Sequence, residues 1–229
     1  MKKLSISMSH KEMVAGISYM VIQLLVLPSL LLWINQLWDF PLTSTQLNFA
    51  FFVIDFLAIT VIFHRFLINS AKQALEKPLL CIRFAFFGLL LYWLTSYIVG
   101  LLIISIFPGY SNVNDQSIMD LTQQNYLLMA IGTVLLVPIT EETLYRGIIF
   151  RGLYNRNPIL GFAISTLAFS ALHVIGYIGQ YPPIHLVMCL IQYVPAGLCL
   201  AWAYYKADSI WAPILMHMTI NQLGILSMR

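Results

Sequence analysis

Charge is scarce in this sequence of 229 residues. Asp, Glu, Lys and Arg make up 9% of it, hydrophobic residues 60%, and the mean hydropathy is +0.83. Soluble domains carry about 25% charged residues, so this composition excludes an ordinary soluble domain. The net charge of +3 comes with no clustered basic face, which excludes a nucleic-acid partner. Cysteine is scarce as well: Cys81, Cys189 and Cys199 lie in or beside apolar runs, which excludes a disulfide framework and leaves them as packing residues. There is no tandem repeat, no low-complexity run and no long linker, so residues 1–229 are expected to form one membrane domain.

What is present instead is a series of long apolar runs. Residues 13–34 and 84–107 contain no charged side chain, and each exceeds the roughly 20 residues a helix needs to cross about 30 Å of hydrocarbon. Five further runs, 47–68, 126–154, 158–176, 184–205 and 209–228, complete an all-α, polytopic integral membrane protein of seven transmembrane helices. Pro195 would make it eight if it splits the sixth. The basic start at residues 1–11 leads into an apolar run without a small-residue cleavage site, and so reads as an uncleaved first span.

Lys and Arg alternate along the connections. Lys2, Lys3 and Lys11 precede the first span; Arg65, Lys72, Lys77 and Arg83 follow the second; Arg146, Arg151 and Arg156 lead out of the fourth; Lys206 follows the sixth. The connections at 35–46, 107–125 and 177–183 have neither residue and hold Asp39, Asp115 and Asp120. By the positive-inside rule the amino terminus is cytoplasmic and the carboxyl terminus outside, in a cytoplasmic membrane; Arg229 alone departs from the pattern.

Against this background TEETLYRG, residues 140–147, is dense in charge. Ionisable groups at membrane depth are expensive and mark function by default. Glu142 and Arg146 stand four apart, on one helical face, in the favourable acid-before-base order, and buried charges persist when paired. Glu141 is turned by about 100° from Glu142 and must face elsewhere. His217 and Asn221 share a face of the seventh span, Phe169 and His173 a face of the fifth, so three helices carry polar groups able to converge on one pocket. Asp55 is expected to pair with a polar group on a neighbouring helix. His64 and His185 fall near span ends, and Gly161 with Ser165 suggests a close helix contact. The Trp and Tyr residues read as interfacial anchors.

A carboxylate, two imidazoles and a carboxamide suffice to hydrolyse an amide, the carboxylate deprotonating water and the others holding water or an oxyanion. Alternatively Glu141, His173 and His217 ligate a zinc ion that acidifies the water. Residue spacing leaves both open. The local signatures of other intramembrane hydrolases are missing: no HExxH for a site-2-type zinc protease, no GxGD with YD for the presenilin type, no GxSG for a serine nucleophile.

EETLYR, FSALH and HMTIN fit EExxxR, FxxxH and HxxxN, in that order and in separate spans. The ordered triple, with its flanks VPITEETLYRGIIFRGL and AISTLAFSALH, resembles the CAAX prenyl protease and bacteriocin-processing (CPBP, Abi) family of intramembrane endopeptidases over about residues 126–225. The resemblance implies a helical fold around a polar cavity, with Glu141 and His173 activating water, His217 and Asn221 forming the oxyanion site, and Glu142 and Arg146 in support. It leaves the use of a metal open. Its implied partners are membrane lipid and a peptide or protein substrate, a bacteriocin or a lipidated peptide among them. The alternative from another class is a non-catalytic membrane protein conferring bacteriocin immunity.

Overall fold

The computed structural model describes residues 4–228; Lys2, Lys3 and Arg229 of the charge pattern lie outside the described residues. Ten helices follow one another among them: α1 His10–Leu25, α2 Leu27–Gln36, α3 Ser44–Ile62, α4 His64–Glu76, α5 Pro78–Ile106, α6 Val113–Gln124, α7 Tyr126–Tyr154, α8 Pro158–Ile175, α9 Pro183–Ala207 and α10 Trp211–Ser227. No strand occurs among the described residues, so the all-α expectation holds.

Helix starts follow local chemistry. Ser9 and Thr43 form reciprocal capping boxes with Glu12 and Gln46, and Asn112, Asn125 and Asn157 accept from first-turn N–H groups. Proline opens α5, α8 and α9, where a missing N–H costs nothing. Glu12 also accepts the Phe66 N–H at 3.2 Å, tying the first turn of α1 to α4.

Span counting changes in detail. Five helices, α3, α5, α7, α8 and α9, are long and apolar enough to cross a membrane, and α1 with α2 makes a sixth if the bent pair counts as one span. That pair bends by 47° between Leu25 and Leu27, beside Pro28, whose ring cannot continue the hydrogen-bond ladder. α10 has 17 residues, about 26 Å at 1.5 Å per residue, which is short of a 30 Å core. An eighth span is overturned: α9 runs unbroken through Pro195 from Pro183 to Ala207. A proline inside an otherwise continuous helix frees one carbonyl and bends the chain but need not end it. The connection at 107–125 is not a loop throughout, since it contains α6.

Burial ranks the helices. Half of the most apolar window of α7 is buried, against 11% for α5, whose Phe86, Leu94, Tyr97 and Leu102 face outward. α7 is therefore the central helix. Its turn into α8 is tight because Gly161 has no side chain: a Cβ there would lie 2.9 Å from the Tyr154 Cα. Ser165, one turn on, donates to the Tyr145 carbonyl at 2.9 Å, so the expected small-residue contact is a contact between α8 and α7. α9 closes on α8 in the same way at Gly197, whose Cβ would meet Thr166 at 2.8 Å.

The backbone of α7 is wound wide, as a π-helix, over Ile131–Leu136 and Glu142–Phe150. In the first stretch the Val137 N–H bonds back to Gly132 O. The Thr133 carbonyl would then look to residue 138, which is proline and has no N–H. Asn221 of α10 answers it, its Nδ2 donating to Thr133 O at 2.7 Å.

Candidate active site

Glu142 sits at the middle of the polar cluster. Its side chain is fully buried, and Oε1 accepts both from Arg146 Nη1 at 3.0 Å and from His217 Nδ1 at 2.9 Å. Arg146, also fully buried, donates from Nη2 to Gly197 O at 3.2 Å and lies 4.2 Å over the Phe169 ring. One guanidinium thus clamps α7 to both α8 and α9. The planar, delocalised fork suits this place, since one group stacks on a ring while donating in two directions.

Phe169 is the floor on which the histidines meet. The His173 ring lies 4.8 Å and the His217 ring 5.8 Å from it, centroid to centroid. His173 Nδ1 bonds to Phe169 O at 2.9 Å. A carbonyl oxygen only accepts, so Nδ1 carries the proton and Nε2 of the neutral ring keeps its lone pair.

Glu141 is placed differently from its neighbour. It lines a cavity of about 620 Å3 together with His173, His217 and Asn221, while Glu142 and Arg146 do not line it. The turn of about one-quarter between adjacent residues of a helix explains the division. Its Oε2 is buried and has no hydrogen-bond partner. Glu142 Oε2 is buried without a partner too, but each of the other buried or half-buried acids has at least one bonded oxygen, which Glu141 lacks: Glu12 to Ser9, Asp55 to Tyr19 and Gln23, Asp115 to Tyr193, Glu142 through Oε1 as above and Asp208 to Ser5.

Asp55 has the neighbouring-helix partner expected of it, and indeed two: Tyr19 Oη at 2.6 Å and Gln23 Nε2 at 2.7 Å, both from α1. Asn221 and His217, expected to point at an oxyanion, each have one polar atom already engaged, with Thr133 O and Glu142. The zinc alternative finds no ligand set. Among the described residues no three His, Cys, Asp or Glu side chains gather as a metal-binding group, and Glu141, His173 and His217 line the cavity without forming one.

Residue patterns missed several groups. Tyr193 of α9 stacks on His173, with ring centroids 4.1 Å apart at 24°, and donates to Asp115 Oδ1 at 2.6 Å. Asn114 donates to the Tyr193 hydroxyl at 2.9 Å. A signal was available in the polar pair Gln192–Tyr193, which interrupts an apolar span, and in the polar run Asn112–Ser117 that builds α6. Burial pushes the Asp115 carboxyl above its ordinary range, against the lowering effect of the Tyr193 hydrogen bond.

These features define a helical membrane protein whose cavity presents one unanswered carboxylate beside two imidazoles and a carboxamide. Residues 123–223 match the family model described as "Type II CAAX prenyl endopeptidase Rce1-like". The resemblance carried by the three motifs is thereby shown, over the stretch that holds all of them, and at family level it is to membrane peptidases of the CAAX type. Among curated proteins, a Bacillus subtilis (strain 168) protein named "Putative membrane peptidase YdiL" is 26% identical over 181 residues, 76% of this chain and 69% of its own length. An Escherichia coli protein, "Uncharacterized 24.3 kDa protein", is 32% identical over 115 residues, 49% of this chain and 47% of its own length, so the chain spans about half of that relative. The Lactococcus lactis "UPF0177 protein YxdF" is 25% identical over 131 residues, 57% of this chain and 67% of its own. No solved structure matches the chain at a significant level.

Proposed function

We propose that this protein is an intramembrane endopeptidase that hydrolyses peptide bonds in or near a cytoplasmic membrane, with Glu141 as the group that takes a proton from water. The observation that carries the reading is the Glu141 carboxylate: it lines the cavity with two histidines and has a buried oxygen without a partner. A water between Glu141 and the Nε2 lone pair of His173 gives its proton to Glu141, and the hydroxide attacks the peptide carbonyl. The oxyanion is met by the second Nδ2 hydrogen of Asn221, the first being held by Thr133 O, on the wall that also carries His217, whose ring Glu142 holds at Nδ1. Glu141 then returns the proton to the leaving amine, the C–N bond breaks, and the site is restored. Glu142 and Arg146 fix the positions of His217 and Phe169 and touch no substrate.

Counting α1 with α2 as one span and α10 as another gives seven, with the amino terminus in the cytoplasm and the cavity within the membrane. The substrate is a membrane-associated peptide or protein, for which a lipidated peptide and a bacteriocin are the candidates to assay first.

The test is comparative mapping of new protein amino termini in membranes from cells carrying the wild type or Glu141→Gln. We expect cleavage products that disappear in the variant, and on a product-derived peptide a fall of at least about 100-fold, the usual scale of acid–base catalysis, with the purified variant as abundant and folded as the wild type. Cleavage retained within a few-fold would overturn the assignment. Protection from a peptide toxin that survives Glu141→Gln would place the protein in the immunity class instead.

A further inference from the structure

Residues of α9 and α6 also line the cavity, and there a second set of polar contacts acts on His173. The Tyr193 ring lies face to face with the imidazole at 4.1 Å, on a side of His173 that its backbone hydrogen bond leaves unconstrained. That bond, Nδ1 to Phe169 O, fixes one atom of the ring but permits rotation about the contact. A second, stacked plane removes that freedom. Tyr193 is itself held at its hydroxyl, which donates to Asp115 Oδ1 at 2.6 Å and accepts from Asn114 Nδ2 at 2.9 Å. Both anchors lie on α6, whose first turn is capped by Asn112.

We propose that Tyr193 is the positioning residue for His173, and that α6 sets the imidazole's orientation through Asp115, the Tyr193 hydroxyl and the stacked ring. The proposal rests on the reading of His173 as a water-holding residue, and adds to it the source of that residue's geometry. Displacing a reacting group by about 1 Å can cost about 100-fold in rate, so the plane that holds Nε2 matters as much as its presence. Removing the stack should lower kcat and leave KM nearly unchanged, because Tyr193 acts on the step and not on substrate binding.

Two readouts separate this from the peptidase reading. The first needs no substrate. The chain has five histidines, so ring-labelled histidine gives an NMR spectrum in which the His173 signal, assigned with His173→Gln, carries the upfield ring-current shift of a stacked aromatic. Tyr193→Leu should move it downfield, whereas Tyr193→Phe should keep it upfield. The second readout is kinetics on the peptide found by mapping amino termini. Tyr193→Leu should lower kcat by about 100-fold and Tyr193→Phe, which keeps the ring and loses the tether, by about 10-fold. Asp115→Ala should cost no more than Tyr193→Phe, because the hydroxyl keeps its contacts to Asn114 and, at 3.4 Å, Asn112 Oδ1, and Asp115→Ala should add nothing to Tyr193→Phe, which already removes the Asp115 contact. A His173 signal unmoved in Tyr193→Leu overturns the proposal, as do additive effects of Asp115→Ala and Tyr193→Phe or a change confined to KM. A signal that moves as expected in a protein that cleaves nothing upholds the stacking and sinks the peptidase reading.

Discussion

Arg146→Ala is the substitution whose cost the structure fixes most closely. Arg146 and Glu142 are fully buried, and Glu142 Oε1 accepts from Arg146 at 3.0 Å. Removing the guanidinium leaves a buried carboxylate with His217 as its remaining partner, and breaking a buried pair in this way costs about 3–5 kcal/mol. The lost contact over Phe169 adds about 0.5–2 kcal/mol, and the lost bond to Gly197 O adds less, since that carbonyl lies inside α9. The first effect dominates. Scaled by roughly 2–4 °C per kcal/mol for a chain of this size, it lowers Tm by about 6–20 °C. Thermal unfolding of the detergent-purified protein, followed by its tryptophan fluorescence, measures this directly. Glu142→Gln in the same chain should recover part of the loss, because the double variant buries no uncompensated charge, with a coupling of about 0.5–3 kcal/mol. An Arg146→Ala protein that melts within about 2 °C of the wild type, the shift of a neutral surface change, yet cleaves nothing would refute the structural role and put Arg146 into the chemistry.

Asn221→Ala should leave the Thr133 carbonyl unanswered and cost about 1–3 kcal/mol; Pro138→Ala, which restores an N–H beneath it, should reduce that cost, and equal losses in both backgrounds would rule out the substitution of one donor for the other. Gly161→Ala should destabilise by more than about 1 kcal/mol, since its Cβ would meet the Tyr154 backbone at 2.9 Å, a change visible in the same melting assay. Asp115 is raised by burial, so its protonated form is favoured in the fold; stability from this group is present at low pH and lost as pH rises through the raised pKa. Asp115→Asn should therefore flatten the fall of Tm between mildly acidic and alkaline pH, and an unchanged slope would contradict it. Metal analysis of the purified wild type should find no stoichiometric zinc at Glu141, His173 and His217; one ion per chain that is lost in His173→Gln would reinstate the metal mechanism.

The three motifs were legible because each compresses a spatial relation into a helical offset. Four residues separate Glu142 from Arg146 and His217 from Asn221, and the structure puts the first pair in contact and the second along one wall. What the offsets do not encode is which neighbour each group meets. His217 reaches across to Glu142, and Asn221 to a carbonyl that Pro138 leaves without a donor, because α7 is wound as a π-helix there. That winding lies where α7 packs against α3 and α10 and has no short sequence signature. The spans were legible as apolar runs, but whether the missing N–H of Pro28 bends the chain and that of Pro195 leaves α9 continuous depends on the packing around each and not on the residue alone. Tyr193 escaped notice for a related reason: a tyrosine in an apolar span looks like a membrane anchor until α6, which hydropathy hides in a loop, supplies Asp115 and Asn114 to hold it.

An apolar surrounding makes many of the buried polar groups dependent on another helix. Asp55 is answered from α1, the Tyr145 carbonyl from α8, the Thr133 carbonyl from α10, Tyr193 from α6, and Glu142 from within α7 and from α10. These contacts do double duty, holding the helices together where hydrophobic association is weak and setting the orientation of the groups that line the cavity. Glu141 stands outside this exchange of partners. Because Glu142, one residue on, already satisfies Arg146 and His217, nothing in the fold requires Glu141 to be an acid. On the proposed reading, an acid kept in a cavity wall without a structural partner meets something that enters the cavity, and the smallest such visitor able to give it a proton is water.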